Sequence, residues 1–104
     1  MAVRQKIVIT NELGLHARPA AEFVRAAKAF RSQIWLVKEG QRFSGASILE
    51  VLTANLNQGE TAIIEASGPD AEQAVARLAG IIREFASRPE SQPASLRRRS
   101  EDDF

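Results

Sequence analysis

Gly14-Leu15-His16-Ala17-Arg18-Pro19 stands where a strand-like run gives way to a helical pattern, and it holds the single histidine among 104 residues. Imidazole can carry a phosphoryl group on a ring nitrogen. Free imidazole titrates near ~6.5, so at neutral pH much of it is unprotonated and nucleophilic. A helix N-terminus supplies N–H groups without intrahelical partners and the positive end of a dipole, both suited to an anion. Here the amides of Ala17 and Arg18 and the Arg18 guanidinium would hold the phosphoryl oxygens, and because Pro19 has no N–H to add, the cradle must be completed elsewhere. Attack by His16 on a phosphoryl donor would give a phosphoramidate, whose nitrogen leaves readily once protonated. The plain alternative is a histidine that only caps a helix. That role would need neither the flexible Gly14, nor Arg18, nor a proline fixing the helix start.

The flanking pattern predicts the fold. Lys6-Ile7-Val8-Ile9-Thr10 is short, β-branched and bounded by Asn11, which predicts a strand. Residues 11–15 then form a loop. From Ala17 to Phe30 the apolar positions Ala20, Phe23, Val24, Ala27 and Phe30 follow helical spacing, with Pro19 in the first turn and His16 or Ala17 at the cap. Gln33 to Lys38 alternate, Ile34 and Leu36 on one face and Trp35 and Val37 on the other. Glu39-Gly40 turns this second strand into a third, Gln41 to Ser44. Ser47-Ile48-Leu49-Glu50 matches a capping box and opens a short helix with Ile48, Val51 and Leu52 on its apolar side. Asn57-Gln58-Gly59 is a turn, and Thr61 to Ser67 is a fourth strand. Asp70 with Gln73 opens the longest helix, whose stripe is Ala74, Val75, Leu78, Ile81, Ile82 and Phe85. Gly80 within that stripe marks close packing. The order β-α-β-β-α-β-α, with a short turn between strands two and three, predicts an α+β fold with helices on one face of a single sheet.

Composition narrows the chemistry. The length fits one domain, assigned to residues 1–87. From Arg88-Pro89-Glu90-Ser91-Gln92-Pro93 onward apolar content nearly vanishes, so residues 88–104 read as a disordered charged tail. With no cysteine there are no disulfides or thiolate metal sites, and one histidine with only carboxylates for company argues against metal. Absence of cysteine also fits a cytoplasmic location. A net charge of +1 gives no reason to expect nucleic acid. No apolar run reaches the length of a membrane span, and the first residues lack the apolar core of a signal peptide. Arg18, Arg25 and Lys28 lie near one another on a helical wheel, with Glu22 as the nearby acid. Such a cluster is ordinarily a solvated face, yet starting beside His16 it also reads as a docking stripe for an acidic partner.

Gly-Leu-His-Ala-Arg-Pro-Ala-Ala at residues 14–21 resembles the active-site signature of the HPr family, the histidine-containing phosphocarriers of the phosphoenolpyruvate-dependent sugar phosphotransferase system. The resemblance runs from about Lys6 to Phe85 and includes the Ser-Ile-Leu segment at 47–49, the Asn57-Gln58-Gly59-Glu60 turn and the Ala66-Ser67-Gly68 strand end. It implies an HPr-like open-faced β-sandwich, a four-stranded antiparallel sheet of order 1-4-2-3 covered on one face by three helices. It also implies a relay: phospho-Enzyme I passes a phosphoryl group to Nδ1 of His16, and His16 passes it to a histidine of an enzyme IIA component. Arg18 would then contact the phosphate. The chain is accordingly expected to be a covalent carrier rather than a stand-alone enzyme, a monomer, and without cofactor.

Ser47 matches the position at which many family members are phosphorylated by an HPr kinase/phosphorylase, although serine is also an ordinary N-cap. Glu50 is a departure, since many regulated relatives have a small residue there and others a lysine. A carboxylate would oppose the charge of phosphoserine. Ile48, Leu49 and Leu52 are expected to join Arg25 and Lys28 in binding partners. Two other roles remain open: a regulatory phosphocarrier of a nitrogen-related branch, and a module that binds a transcription regulator through Ser47.

Overall fold

The computed structural model describes residues 2–86. Its elements run β1 (Ala2–Val8), α1 (Ala17–Lys28), β2 (Gln33–Lys38), β3 (Gln41–Ser44), α2 (Ile48–Thr53), β4 (Thr61–Ser67) and α3 (Ala71–Ala86). The four strands form one antiparallel sheet of order β1-β4-β2-β3, as the resemblance implied. Alternation assigns the faces. Ile34 and Leu36 of β2, and Ala62, Ile64 and Ala66 of β4, are buried beneath the helices. Trp35, Val37 and Ile63 are half-buried on the open face. There Arg42 lies 4.3 Å over the Trp35 ring, and Glu65 accepts contacts from Arg4 and Arg42, each at 3.8 Å. The helical layer fills the other side with Phe23 from α1, Val51 from α2, and Leu78, Ile82 and Phe85 from α3, all fully buried.

Several local expectations shift. β1 starts at Ala2 and ends at Val8, not at Lys6 and Thr10, because Ala2 to Gln5 pair with residues 64–67 of β4. Arg4, Gln5 and Lys6 are exposed at this sheet edge, so their polarity hid a strand whose hydrogen bonds are long-range. α1 stops at Lys28, two residues short of Phe30, and the amides of Ala29 and Phe30 close it by bonding Ala26 and Ala27 carbonyls. Glu39 and Gly40 both take positive φ, 52° and 79°, as a tight hairpin requires.

The capping box at Ser47 is only half formed. The Ser47 hydroxyl accepts from the Glu50 amide at 3.2 Å, but the Glu50 carboxylate bonds the Ser44 amide at 2.7 Å rather than reaching back to Ser47. Asp70 turns its carboxylate across the fold to the Arg31 amide (2.9 Å), the Ser32 amide (3.0 Å) and the Ser32 hydroxyl (2.6 Å). It thereby clasps the α1–β2 turn to the start of α3, and its own pKa is lowered, chiefly by the Arg31 N–H and then the Ser32 hydroxyl. Gly80 does not mark close packing: an added Cβ would meet only an Arg83 side-chain nitrogen, at 3.8 Å. Of the apolar side expected for α2, only Val51 is buried. The charged tail at 88–104 lies outside the described residues.

Candidate functional site

The loop that carries His16 is seated on a second loop. Past β1 the chain keeps its pairing through Ile9, whose N–H bonds the Glu60 carbonyl at 2.9 Å and whose carbonyl accepts from the Gly59 amide at 2.7 Å. The Gln58 side chain donates to the Thr10 carbonyl at 3.2 Å. Asn11, buried, then folds the loop on itself: its side-chain amide donates to the Gly14 carbonyl at 2.7 Å, and its own carbonyl accepts from the Gly14 amide at 3.1 Å. Leu15 is buried, and its amide donates to the Leu56 carbonyl at 2.9 Å. Gly14 has φ of +66°, and a Cβ there would stand 2.9 Å from the Asn57 Cα and closer still to the Leu56 carbonyl oxygen. No other residue type fits that seat.

His16 is the N-cap of α1 by its backbone. Its carbonyl accepts from the Ala20 amide at 2.9 Å and its amide donates to Gly14, while its imidazole makes no capping bond to the helix. The backbone of His16 thus places its ring at the helix mouth. Ala17 and Arg18 occupy the first two helical positions, where α-helical geometry leaves their amides without intrahelical acceptors. Buried Pro19 anchors the turn. The first turn holds no acid, and its charged residue is Arg18, a cation at the positive end of the dipole. An anion at this point would relieve that repulsion.

Arg18, Arg25 and Lys28 are all exposed on α1, and Glu22 is half-buried. α1 packs against α2, and the Leu15–Leu56 bond ties the His16 loop to the segment that follows α2. On α2, Leu49 is 72% exposed, Ile48 42% and Leu52 36%. These three, read as partner contacts, are therefore surface residues and not core. Leu13, in the histidine loop, is 57% exposed and was missed by the sequence reading, where it carried no signal beyond being apolar in a loop. Asn11, which in sequence only bounds the strand and begins the loop, organises that loop. Ser47 is half-buried at the N-cap of α2, with Glu50 one turn away. Among the described residues no cluster of His, Asp and Glu is placed to hold a metal ion, and no helix is long and apolar enough to cross a membrane.

Residues 3–84 match the family model described as PTS HPr component phosphorylation site. The chain belongs to the HPr family. It is 40% identical over 78 residues to the phosphocarrier protein HPr of Vibrio cholerae, an alignment covering 75% of this chain and 92% of that one. Among solved structures, HPr-C-His of Thermoanaerobacter tengcongensis superposes with a TM-score of 0.79 at 36% identity, covering 84% of this chain and 98% of that one. A second structure from that organism, described as an HPr dimer, gives 0.66 at 38% identity over 79% and 94% of the two chains. This HPr-family chain is a phosphocarrier of the phosphotransferase system, and its matched region includes the histidine loop, α1, α2 and all but the last two residues of α3.

Proposed function

We propose that His16 is the phosphoryl-carrying residue, taking the group from phospho-Enzyme I on Nδ1 and yielding it to an enzyme IIA component. The Nδ1 lone pair attacks phosphorus as the bond to the donor's leaving group breaks, and the reverse sequence of bonds delivers the group onward. The amides of Ala17 and Arg18 and the Arg18 guanidinium stabilise the phosphoryl oxygens through transfer. One observation carries this reading: a cation and the positive end of a helix dipole converge beside His16 with no acid in the turn to neutralise them. Incubation with Enzyme I and phosphoenolpyruvate is expected to add one phosphoryl group, labile in acid and stable in base. His16→Ala is expected to abolish it, and equal labelling of that variant would overturn the assignment.

Ile48, Leu49 and Leu52 supply the apolar part of partner docking, and Arg25 and Lys28 the basic part. Their exposure beside the histidine loop supports this. Ser47 is proposed as a regulatory phosphorylation site for an HPr kinase/phosphorylase acting with ATP, giving an acid-stable phosphoserine. A phosphate there would gain from the helix N-terminus and lose to the Glu50 carboxylate. No labelling by an active kinase would remove the claim. The protein is proposed to work in the cytoplasm as a monomer. Since a relative is described as a dimer, light scattering decides: 11.4 kDa for one copy, double that for two.

A further inference from the structure

Lys38, at the end of β2, has a side chain only 15% exposed, and its ammonium serves three acceptors. These are the Ala54 carbonyl (3.1 Å), the Asn55 carbonyl (2.9 Å) and Glu60 Oε1 (3.0 Å). The same Glu60 oxygen accepts from the Asn57 amide at 2.9 Å. One ammonium and one carboxylate therefore grip both ends of the 55–60 turn, which includes Asn55 in a left-handed conformation at φ 55°. This turn is the seat described above: it bonds Ile9 and Thr10 ahead of the histidine loop and Leu15 behind it. Lys38 and Glu60 bond the turn and not the histidine, yet the bonds of Ile9, Thr10 and Leu15 that seat the loop all end on the turn they shape.

We propose that Lys38 and Glu60 are positioning residues for phosphoryl transfer, fixing the turn on which the His16 loop rests. The idea rests on the phosphocarrier reading of His16. Charge contributes as well as shape. The Asn57 amide and then the Lys38 ammonium hold the Glu60 carboxyl below its ordinary range, favouring the carboxylate form that accepts both bonds. A lysine with a short carboxylate partner is well suited here, because one compact ammonium satisfies two helix-terminal carbonyls and a side chain together. Transfer depends on reacting atoms held near attack geometry, and a displacement of about 1 Å can cost on the order of a hundredfold in rate.

The test compares Lys38→Met, Lys38→Arg and Glu60→Gln with Asp70→Ala as a control. Register places Asp70 and Ser32 at the opposite end of the sheet from Val8, Thr61 and Lys38, so loss of that clasp weakens the fold away from the histidine loop. Two readouts are used: the amide resonances of Gly14, Leu15, His16 and Ala17, and the single-turnover rate from phospho-Enzyme I, both well below each variant's melting temperature. Lys38→Met is expected to move those resonances and slow transfer about tenfold, with Glu60→Gln intermediate and Lys38→Arg recovering most of the rate. Rates within twofold of the parent for both Lys38→Met and Glu60→Gln would overturn the proposal. So would equal slowing by Asp70→Ala, since that would make the effect one of general stability. Should the parent chain take no phosphoryl group, the phosphocarrier reading falls, and the resonances alone judge the pair: unmoved amides at 14–17 refute it.

Discussion

Gly14→Ala tests the seating of the histidine loop directly, and its cost separates into two parts. The first is conformational: φ of +66° is left-handed, and an L-residue there costs about 1–2 kcal/mol. The second is steric. The new methyl would stand 2.9 Å from the Asn57 Cα and press on the Leu56 carbonyl, the same oxygen that accepts from Leu15. Backbone atoms on both sides must give way, an overpacking penalty of about 1–3 kcal/mol. Together about 2–5 kcal/mol is expected, a large share of the roughly 5–15 kcal/mol that stabilises a small domain. Gly40 is the internal control, since its φ of +79° carries the same conformational cost but nothing lies within 4 Å of its Cβ position. The change that alanine makes to unfolded-chain entropy is common to both and cancels. Urea unfolding of the two variants should therefore differ by the steric part alone. At roughly 4–8 °C per kcal/mol, Gly14→Ala should melt several degrees below Gly40→Ala. Equal losses in the two variants would refute the close approach and, with it, the account of how the loop is held.

Gly80→Ala should raise stability by about 0.5–1 kcal/mol, because the added methyl sits inside a helix and meets only the end of the Arg83 side chain at 3.8 Å; an unchanged or lowered melting temperature would contradict this. The Asp70 carboxyl has an ordinary pKa of 3.8 and is lowered in the fold by the Arg31 amide and Ser32 hydroxyl. Its contribution is full well above the ordinary value of 3.8, begins to fall as pH approaches that value, and is lost as pH drops through the lower folded one. Unfolding free energy measured from pH 5 to 2 should accordingly fall less steeply in Asp70→Asn, and an identical slope would rule the clasp out as a source. Leu49→Ala should leave stability within about 0.5 kcal/mol, since the side chain is 72% exposed, while weakening binding to Enzyme I by calorimetry; unaltered affinity would remove Leu49 from the docking surface.

Periodicity carried the parts of the fold that are set locally. Six apolar positions of α3 at helical spacing are all buried, and the Ile34/Leu36 alternation names the inner face of β2. What periodicity missed depends on partners far away in sequence. Arg4 and Gln5 break the apolar run because an edge strand shows much of itself to water, and only pairing with β4 makes Ala2 to Gln5 a strand. Glu50 stands in a capping-box pattern and Asp70 at the start of a helix, yet each carboxylate accepts from donors elsewhere: the Ser44 amide for one, and the Arg31 and Ser32 amides for the other. A four-residue motif states which bonds are possible and is silent about competitors 38 residues away. The same blindness hid Lys38 and Glu60, 22 residues apart, whose ion pair has no trace in local composition.

The histidine segment was legible for the opposite reason, because its oddities are local. A cation in the first turn of a helix opposes the dipole by a few tenths of a kcal/mol or more, and ordinary helix design places an acid there. α1 does the reverse: Arg18 sits at its start, Arg25 and Lys28 at its end, and the first turn has no acid. Arg25 and Lys28 suit the negative end and need no further reason. Arg18 does need one, and folding does not provide it, since the side chain is exposed. Departures from local rules gather where function overrides stability. A phosphoryl group on His16 would turn this unfavourable end into a matched one, placing its charge against two amides and a guanidinium. On that argument the phosphorylated chain gains stability in α1 relative to the unphosphorylated one, and Arg18, not the basic stripe as a whole, is where that gain arises.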